Sequence, residues 1–180
     1  MILYQVAPGV KQVSPELEFV RRETERTVRT APADAWLRAP VQKWNSLQII
    51  EHLFLSYTAT TKGLLRIMDE GQLERRKPDA RQVLRRLYVL KVGRFPAGVE
   101  SPRQTTPRAV LGDEPLRRFN DALVAMDATL ADAEKRFGAR TRLLNHPILG
   151  PLTAQQWRRF HQVHGRHHLK QIAARMDGQG

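Results

Sequence analysis

Two histidines near the carboxyl end of the chain, His164 and His168, have the spacing of a metal-binding pair. Residues four positions apart lie one turn apart on the same side of an α-helix, so both imidazoles can reach one ion. On a helical wheel both histidines lie on the side of Trp157 and Phe160, which indicates that they point toward a core. Two solvated or hydrogen-bonded histidines would give the same spacing, because an isolated His-x-x-x-His pair is common.

A catalytic metal site of this kind needs a third protein ligand from elsewhere in the chain and keeps one coordination position open. His52 is the candidate for this third ligand. It lies about 110° from the apolar stripe of its own predicted helix, on the side of Ser56, Ala59 and Gly63. These small residues leave room for another helix or for a pocket. A histidine on the helix surface remains the alternative.

The elements that must position these histidines are helices. Apolar residues recur at a spacing of 3.6 in four long segments, and serine, threonine, proline or glycine marks their ends. The predicted helices cover residues 15–30, 47–70, 114–137 and 153–178, with Ser46 as the N-cap of the second, and a shorter amphipathic helix covers 79–91. No segment alternates polar and apolar residues as a strand or hairpin would. The prediction is an all-α, four-helix bundle, in which metal sites form between facing helices.

The insertion between the second and third long helices is predicted to be long and irregular apart from the helix at 79–91. Residues 93–108 contain three prolines and two glycines, which exclude regular structure there. Loops of this length are often lids or binding segments, although this one could simply wrap the bundle. Residues 1–13 are expected to form an irregular lead-in.

Length and composition narrow the function classes. A chain of 180 residues, 41% of them hydrophobic, is expected to form one soluble domain over 1–180. The sequence contains no run of about 18 apolar residues, so no membrane span is expected. The first residues do not have the pattern of a signal peptide, and a cytoplasmic location is therefore expected. The chain has no cysteine, which excludes disulfides, thiolate ligands and a thiol nucleophile of its own. Any thiol chemistry would need a small-molecule thiol.

The formal net charge of +12 is concentrated in the middle of the chain. Residues 62–108 contain 12 basic and 5 acidic residues, a net charge of +7. This excess fits an anionic partner such as nucleic acid, and it equally fits an arginine-rich composition without a function. Zinc fingers, glycine-rich RNA-binding signatures and aromatic-interleaved basic stripes are absent from the sequence, so nucleic acid is not the expected partner.

Two stretches resemble the DinB-like superfamily, in particular an uncharacterised bacterial branch of it. One is WNSLQIIEHL at residues 44–53, and the other combines HPILGPLTAQQW at 146–157 with HGRHHLKQI at 164–172. The resemblance implies a four-helix bundle that holds a divalent metal through His52, His164 and His168. Zinc or nickel is the expected ion, and iron or manganese would also suit a set of nitrogen ligands. Dimers are common in the superfamily.

The resemblance also implies a reaction. Several relatives are metal-dependent thiol S-transferases that join mycothiol, bacillithiol or glutathione to an electrophile, while many have no established activity. The expected function is therefore transfer of a low-molecular-weight thiol, or a related hydrolytic or isomerising step on a small molecule. The alternative is a non-catalytic binding protein of the same fold for an anionic partner, with Arg81, Arg85 and Arg86 on its binding face.

Residues beside the three histidines are candidates for orienting a ligand or contacting substrate. Gln171 follows His168 by one turn, and His161 precedes His164 by almost one turn. Glu51 is the direct neighbour of His52, and Gln48 precedes His52 by one turn, so both are candidates to support it. His146 is expected in the loop that sets the entry of the last helix, and His167 at a helix cap or in solvent.

Overall fold

A computed structural model describes residues 13–73, 77–95, 100–110, 112 and 114–177 of the chain. The all-α fold class is confirmed for this part, with one small sheet added to the helices. The lead-in at residues 1–12 and residues 96–99 of the proline-rich loop lie outside the described residues. In the part of the chain described, no helix combines the length and the apolar character that a membrane crossing requires.

Five α-helices make up most of the described structure. They are α1 (Pro15–Arg29), α2 (Ser46–Glu70), α3 (Ala80–Leu87), α4 (Pro115–Phe137) and α5 (Ala154–Met176). Two short 3₁₀ turns, Ala33–Leu37 and Arg103–Thr105, lie in the connections. The four long helices match the four predicted segments, and no end differs from the prediction by more than two residues.

Capping boxes start three of the helices. In each, the N-cap side chain accepts a backbone N–H from the residue three positions on, whose glutamine side chain bonds back to the N-cap. The pairs are Asn45 and Gln48 at α2, Asp79 and Gln82 at α3, and Thr153 and Gln156 at α5. The prediction for Thr153 is confirmed. The N-cap of α2 is Asn45 rather than the predicted Ser46, because the Asn45 side chain reaches the Gln48 N–H.

The helix predicted over 79–91 changes its winding part of the way along. After α3 the chain forms a π-helical turn over Tyr88–Val92, which ends at Gly93 with φ +73°. Val89 is buried on the inner side of this turn, and the carbonyl of Leu90 accepts an N–H from the Arg159 guanidinium at 3.0 Å. The turn is thereby attached to α5, and it delivers the following Phe95 to the same helix.

The residue pattern predicted no strand, and this prediction was wrong. Strands β1 (Leu144–His146) and β2 (Gly150–Leu152) form an antiparallel hairpin directly before α5, with His146 opposite Gly150. Strands of three residues are too short to show an alternating pattern. Gly150 has φ +74°, a left-handed conformation that glycine adopts without cost.

The core lies between two pairs of long helices. α2 packs along α4, α1 packs along α5, and α5 also contacts α2. Tyr57 of α2, Phe119 of α4 and Leu17 of α1 are fully buried in this core. The arrangement sets the inner face of α5 against α2, which is what brings the distant predicted histidines toward each other.

Gly165 of α5 packs tightly against Val20 of α1. A Cβ atom at this position would lie 2.5 Å from Cγ1 of the fully buried Val20. Because the valine side chain is rigid about χ1, we expect Gly165→Ala to lower the free energy of unfolding by about 1–3 kcal/mol, the usual cost of overpacking. The measurement is urea unfolding of the purified variant.

Gly63 of α2 provides a matched control for this substitution. Its added Cβ would meet Cδ2 of Leu144 at 2.7 Å, and this is the flexible end of a side chain. Gly63→Ala should therefore cost less than Gly165→Ala. Combining Val20→Ala with Gly165→Ala should recover stability relative to the sum of the single changes. Additive losses in that double variant would contradict the proposed clash.

Candidate metal centre

The three predicted histidines converge between α2 and α5. Nε2 of His164 lies 3.0 Å from Nε2 of His52 and 3.1 Å from Nε2 of His168. The ligand atoms of all three lie within 4.8 Å of one another, and all three side chains are buried. His52 is only 4% exposed, so the alternative of a surface histidine does not hold. We call these three residues the histidine triad.

The hydrogen bond on the far side of the His52 ring fixes its tautomer. Nδ1 of His52 lies 2.8 Å from the backbone carbonyl oxygen of Thr105. Because a carbonyl oxygen only accepts, Nδ1 carries the proton and donates it. Nε2 of His52 therefore presents a lone pair toward the centre of the triad.

Gln171 fixes the tautomer of His168 in the same way. Nδ1 of His168 donates to Oε1 of Gln171 at 2.9 Å, and the Gln171 amide nitrogen donates to Nε2 of His167 at 3.1 Å. Because an amide oxygen only accepts, the nitrogen of His168 that faces Oε1 carries the proton. Nε2 of His168 thus also presents a lone pair inward, and Gln171 contacts the metal-site histidine that it was predicted to orient.

His164 stands between these two lone pairs. Its own Nε2 can donate at most one N–H, so at least one pair of ring nitrogens faces each other without a proton between them. Nδ1 of His164 is buried and has no hydrogen-bond partner among the described residues. A cation in contact with the three Nε2 atoms removes this conflict, and in that respect the side chains present fit a metal ion.

Burial keeps the triad in its neutral, metal-binding form. Burial lowers the pKa of His168 to about 3, with the proximity of His52 as the second cause. Burial likewise holds the pKa of His164 well below its ordinary value, with its two triad neighbours adding to the effect. Burial also lowers the pKa of His52, although the hydrogen bond to Thr105 acts in the opposite direction. Neutral imidazole is the form that binds metals.

Aromatic rings surround the triad. The Trp44 ring centre lies 5.0 Å from that of His52, and Phe95 lies 5.4 Å from His164. Phe160 stacks on His164 at 5.4 Å with an angle of 17° between the rings. These apolar walls reduce the access of water and strengthen electrostatic interactions inside the site. The sequence assigned neither ring to the site: Trp44 stood in the stretch 44–53 that carries the resemblance, and Phe95 in the segment expected to be irregular.

Glu51 does not contact the triad, although it is the sequence neighbour of His52. Its buried carboxylate accepts the backbone N–H groups of Arg108, Ala109 and Val110. Gln48, the other residue considered, belongs to the capping box of α2. Adjacent residues on a helix point about 100° apart, so the Glu51 carboxylate faces the backbone of residues 108–110 and does not bond to the His52 ring directly.

The remaining histidines lie outside the triad. His161 is fully buried, and its Nε2 is bonded to Oγ1 of Thr60 at 3.0 Å. His146 closes the hairpin turn, where its Nδ1 accepts the backbone N–H groups of Ile148 and Leu149. His167 is exposed, which agrees with the predicted position in solvent.

The basic face predicted for the helix at 79–91 is only partly present. Arg81 and Arg85 are exposed, whereas Arg86 is partly buried and donates to the carbonyl of Pro151 at 3.3 Å. Burial lowers the pKa of Arg86, with Arg142 as the second cause. Arg86 therefore holds α3 against the hairpin and is not available as part of an exposed binding face.

A family model described as "Protein of unknown function (DUF1569)" matches residues 34–175. The matched range contains the whole triad and most of the elements that position it. Neither the curated proteins nor the solved structures include a significant match to this chain. Since the match covers well over half of the 180 residues, the chain belongs to the DUF1569 family.

Proposed function

We propose that this protein is a metal-dependent member of the DinB-like superfamily that binds a divalent ion through His52, His164 and His168 and acts on a small molecule. The observation that carries the proposal is the meeting of three buried Nε2 atoms, two of them held as lone-pair donors by Thr105 and Gln171. Zinc or nickel is the proposed ion, and iron or manganese suits the same ligands.

The fold that we propose for this family member is a four-helix bundle of α1, α2, α4 and α5, with α3 and the hairpin as additions. The packing of α2 on α4 and of α1 on α5 supports it. A site between α2 and α5 is then the usual position of a metal in a bundle, where ligands project inward from facing helices.

The chemistry follows from the ligand set. Three neutral imidazoles leave the charge of a divalent ion uncompensated and leave a coordination position open, which favours an anionic further ligand. A metal bound there would lower the pKa of a coordinated thiol or water and supply a nucleophile at neutral pH. Because the chain has no cysteine, we propose that the thiol is an external small molecule and that the reaction is its transfer to an electrophile, or a related hydrolytic or isomerising step.

The chain's own residues prepare this site. Thr105 and Gln171 hold two of the imidazoles in the ligand tautomer. Trp44 and Phe95 restrict water around the triad. Arg175 is buried and donates to the backbone carbonyls of Trp44 and Gln171, both at 2.6 Å, so it ties the segment before α2 to the end of α5.

Metal analysis tests the proposal directly. Protein purified without chelators should contain about one divalent ion per chain, and protein stripped with a chelator should bind zinc or nickel again at that ratio. A metal content far below one ion per chain, together with no uptake on titration, would overturn the proposal. A thiol-consumption assay over a panel of thiols and electrophiles then tests the reaction, and activity that survives removal of the metal would contradict a metal-dependent step.

A further inference from the structure

We infer that Glu51 is a positioning residue for the metal site. It acts on His52 through residues 105–110, which we call the 105–110 loop. The inference rests on the proposed function, because it concerns how the metal ligand His52 is held. It assigns a role to a buried carboxylate that touches none of the triad side chains and that metal coordination does not use.

The Glu51 carboxylate binds the loop backbone through three successive N–H groups. Oε1 accepts from Arg108 at 2.6 Å and from Val110 at 3.1 Å, and Oε2 accepts from Ala109 at 3.0 Å. Glu51 is 2% exposed, while the three loop residues lie at the surface. The loop therefore folds over the carboxylate and covers it.

The loop backbone has the shape of an anion-binding concavity. Ala109 has φ +58°, a left-handed conformation that residues with a side chain rarely adopt. Successive N–H groups in such a turn point to one side and attract a negative charge. Here the anion is the Glu51 carboxylate of the same chain, so its charge supports a backbone conformation that the alanine at this position does not favour.

The other end of the same loop holds the metal ligand. The Thr105 carbonyl accepts the Nδ1 proton of His52 at 2.8 Å, and Thr105 is bonded through its hydroxyl to Ser101 Oγ at 2.8 Å. Only two residues separate Thr105 from Arg108. Since Glu51 and His52 are neighbours on α2, the helix, the carboxylate, the loop and the imidazole form a closed ring of bonds.

The ring of bonds predicts what happens when the carboxylate is lost. Without Glu51 the loop has no anion to bind, and the Thr105 carbonyl is free to leave His52. The imidazole can then rotate or place its proton on Nε2, and either change removes a lone pair from the triad. Metal affinity should fall although every ligand side chain is still present.

The test is the substitution Glu51→Gln, which keeps the size of the side chain and removes its charge. We expect zinc affinity, measured by competition with a chromophoric chelator, to weaken about 10–100-fold, the usual effect of losing an outer support of a ligand. Nitrogen NMR of the His52 ring in the metal-free protein should show proton occupancy moving from Nδ1 toward Nε2. A purely structural carboxylate would not move that signal.

Asp127→Asn is the matched control. Asp127 of α4 is a buried carboxylate that accepts a backbone N–H from Ser14 at 2.6 Å and the Arg158 guanidinium at 2.8 Å, and neither partner belongs to the triad or to the 105–110 loop. Its replacement should leave zinc affinity and the His52 signal unchanged. Equal losses of affinity in the Glu51 and Asp127 variants would overturn the role of Glu51.

A second pair of variants changes the loop and leaves Glu51 in place. Proline cannot adopt φ +58° and has no N–H for the carboxylate, so Ala109→Pro should reproduce the loss of affinity at an exposed position. Ala109→Gly accepts the conformation and should keep the affinity. If wild-type protein binds no metal, the proposed function fails; if wild type binds and the Glu51→Gln and Ala109→Pro variants bind equally well, only the inference about Glu51 fails.

Discussion

Replacing His164 with alanine is expected to remove high-affinity metal binding. His164 is the central member of the triad, with its Nε2 3.0 Å from that of His52 and 3.1 Å from that of His168. Its loss leaves two ligands on different helices, and the affinity should fall by more than the roughly 10–100-fold that follows loss of an outer support. Titration of the stripped variant with zinc against a chromophoric chelator measures the effect.

His167→Ala is the control, because His167 lies on the same helix and is not one of the three converging ligands, although its ring packs edge-on against His168 at 5.1 Å and its Nε2 bonds to Gln171. This variant should keep one ion per chain. Folding is not expected to confound the comparison, since His164 has a buried Nδ1 without a described partner and alanine removes that unsatisfied atom. Circular dichroism should show equal helix content in both variants. Unchanged zinc affinity in His164→Ala would show that the triad is not the binding site.

Local rules account for the parts of the site that the sequence predicted. The spacing of His164 and His168 places them on one face of a helix in any fold, and Thr153 with Gln156 marks where that helix begins. His52 is different, because its position opposite the pair depends on how α2 packs against α5. The residue pattern alone allowed His52 to be either a helix-surface histidine or a metal ligand. The resemblance to a known superfamily favoured the metal ligand.

The parts that the sequence did not predict depend on contacts between distant segments. The Thr105 carbonyl that fixes the His52 tautomer is a backbone group, so no side-chain pattern indicates it. Glu51 was considered because it adjoins His52, yet the helix turns its carboxylate toward the 105–110 loop. The hairpin before α5 was missed because a three-residue strand has no detectable period.

Acidification is expected to destabilise the metal-free protein from pH 6.5 downward, and histidines outside the triad contribute to this. Burial lowers the pKa of His146 to about 4 and that of His161 to about 3, the latter with His146 as a second cause. In the unfolded chain both titrate near 6.5. Below that pH the unfolded state binds protons that the folded state does not, so stability is complete above 6.5 and is lost as pH falls toward the folded pKa values.

The size of the effect follows from proton linkage. Each histidine that is held neutral in the folded state contributes a slope that approaches about 1.4 kcal/mol per pH unit, and His146 and His161 together approach about 2.7 kcal/mol per pH unit. Carboxylates contribute lower on the pH scale, since the Arg21 bond helps to lower the pKa of Glu18 to about 2 and its unfolded value is near 4.5. Urea unfolding with chelator present at pH 7, 6 and 5 therefore reports mainly on histidines.

The substitution His161→Phe isolates the contribution of one histidine to the pH dependence of stability. Phenylalanine keeps an aromatic ring against Trp157, and Thr60 keeps its own bond to the Ser56 carbonyl at 3.1 Å. The variant should lose up to about 1.4 kcal/mol per pH unit of the slope, because a group that cannot titrate contributes no linkage. His167→Gln, at an exposed position, should change the slope less. A stability that stays constant from pH 7 to 5, or a slope that His161→Phe leaves unaltered, would mean that these imidazoles are not held neutral by burial.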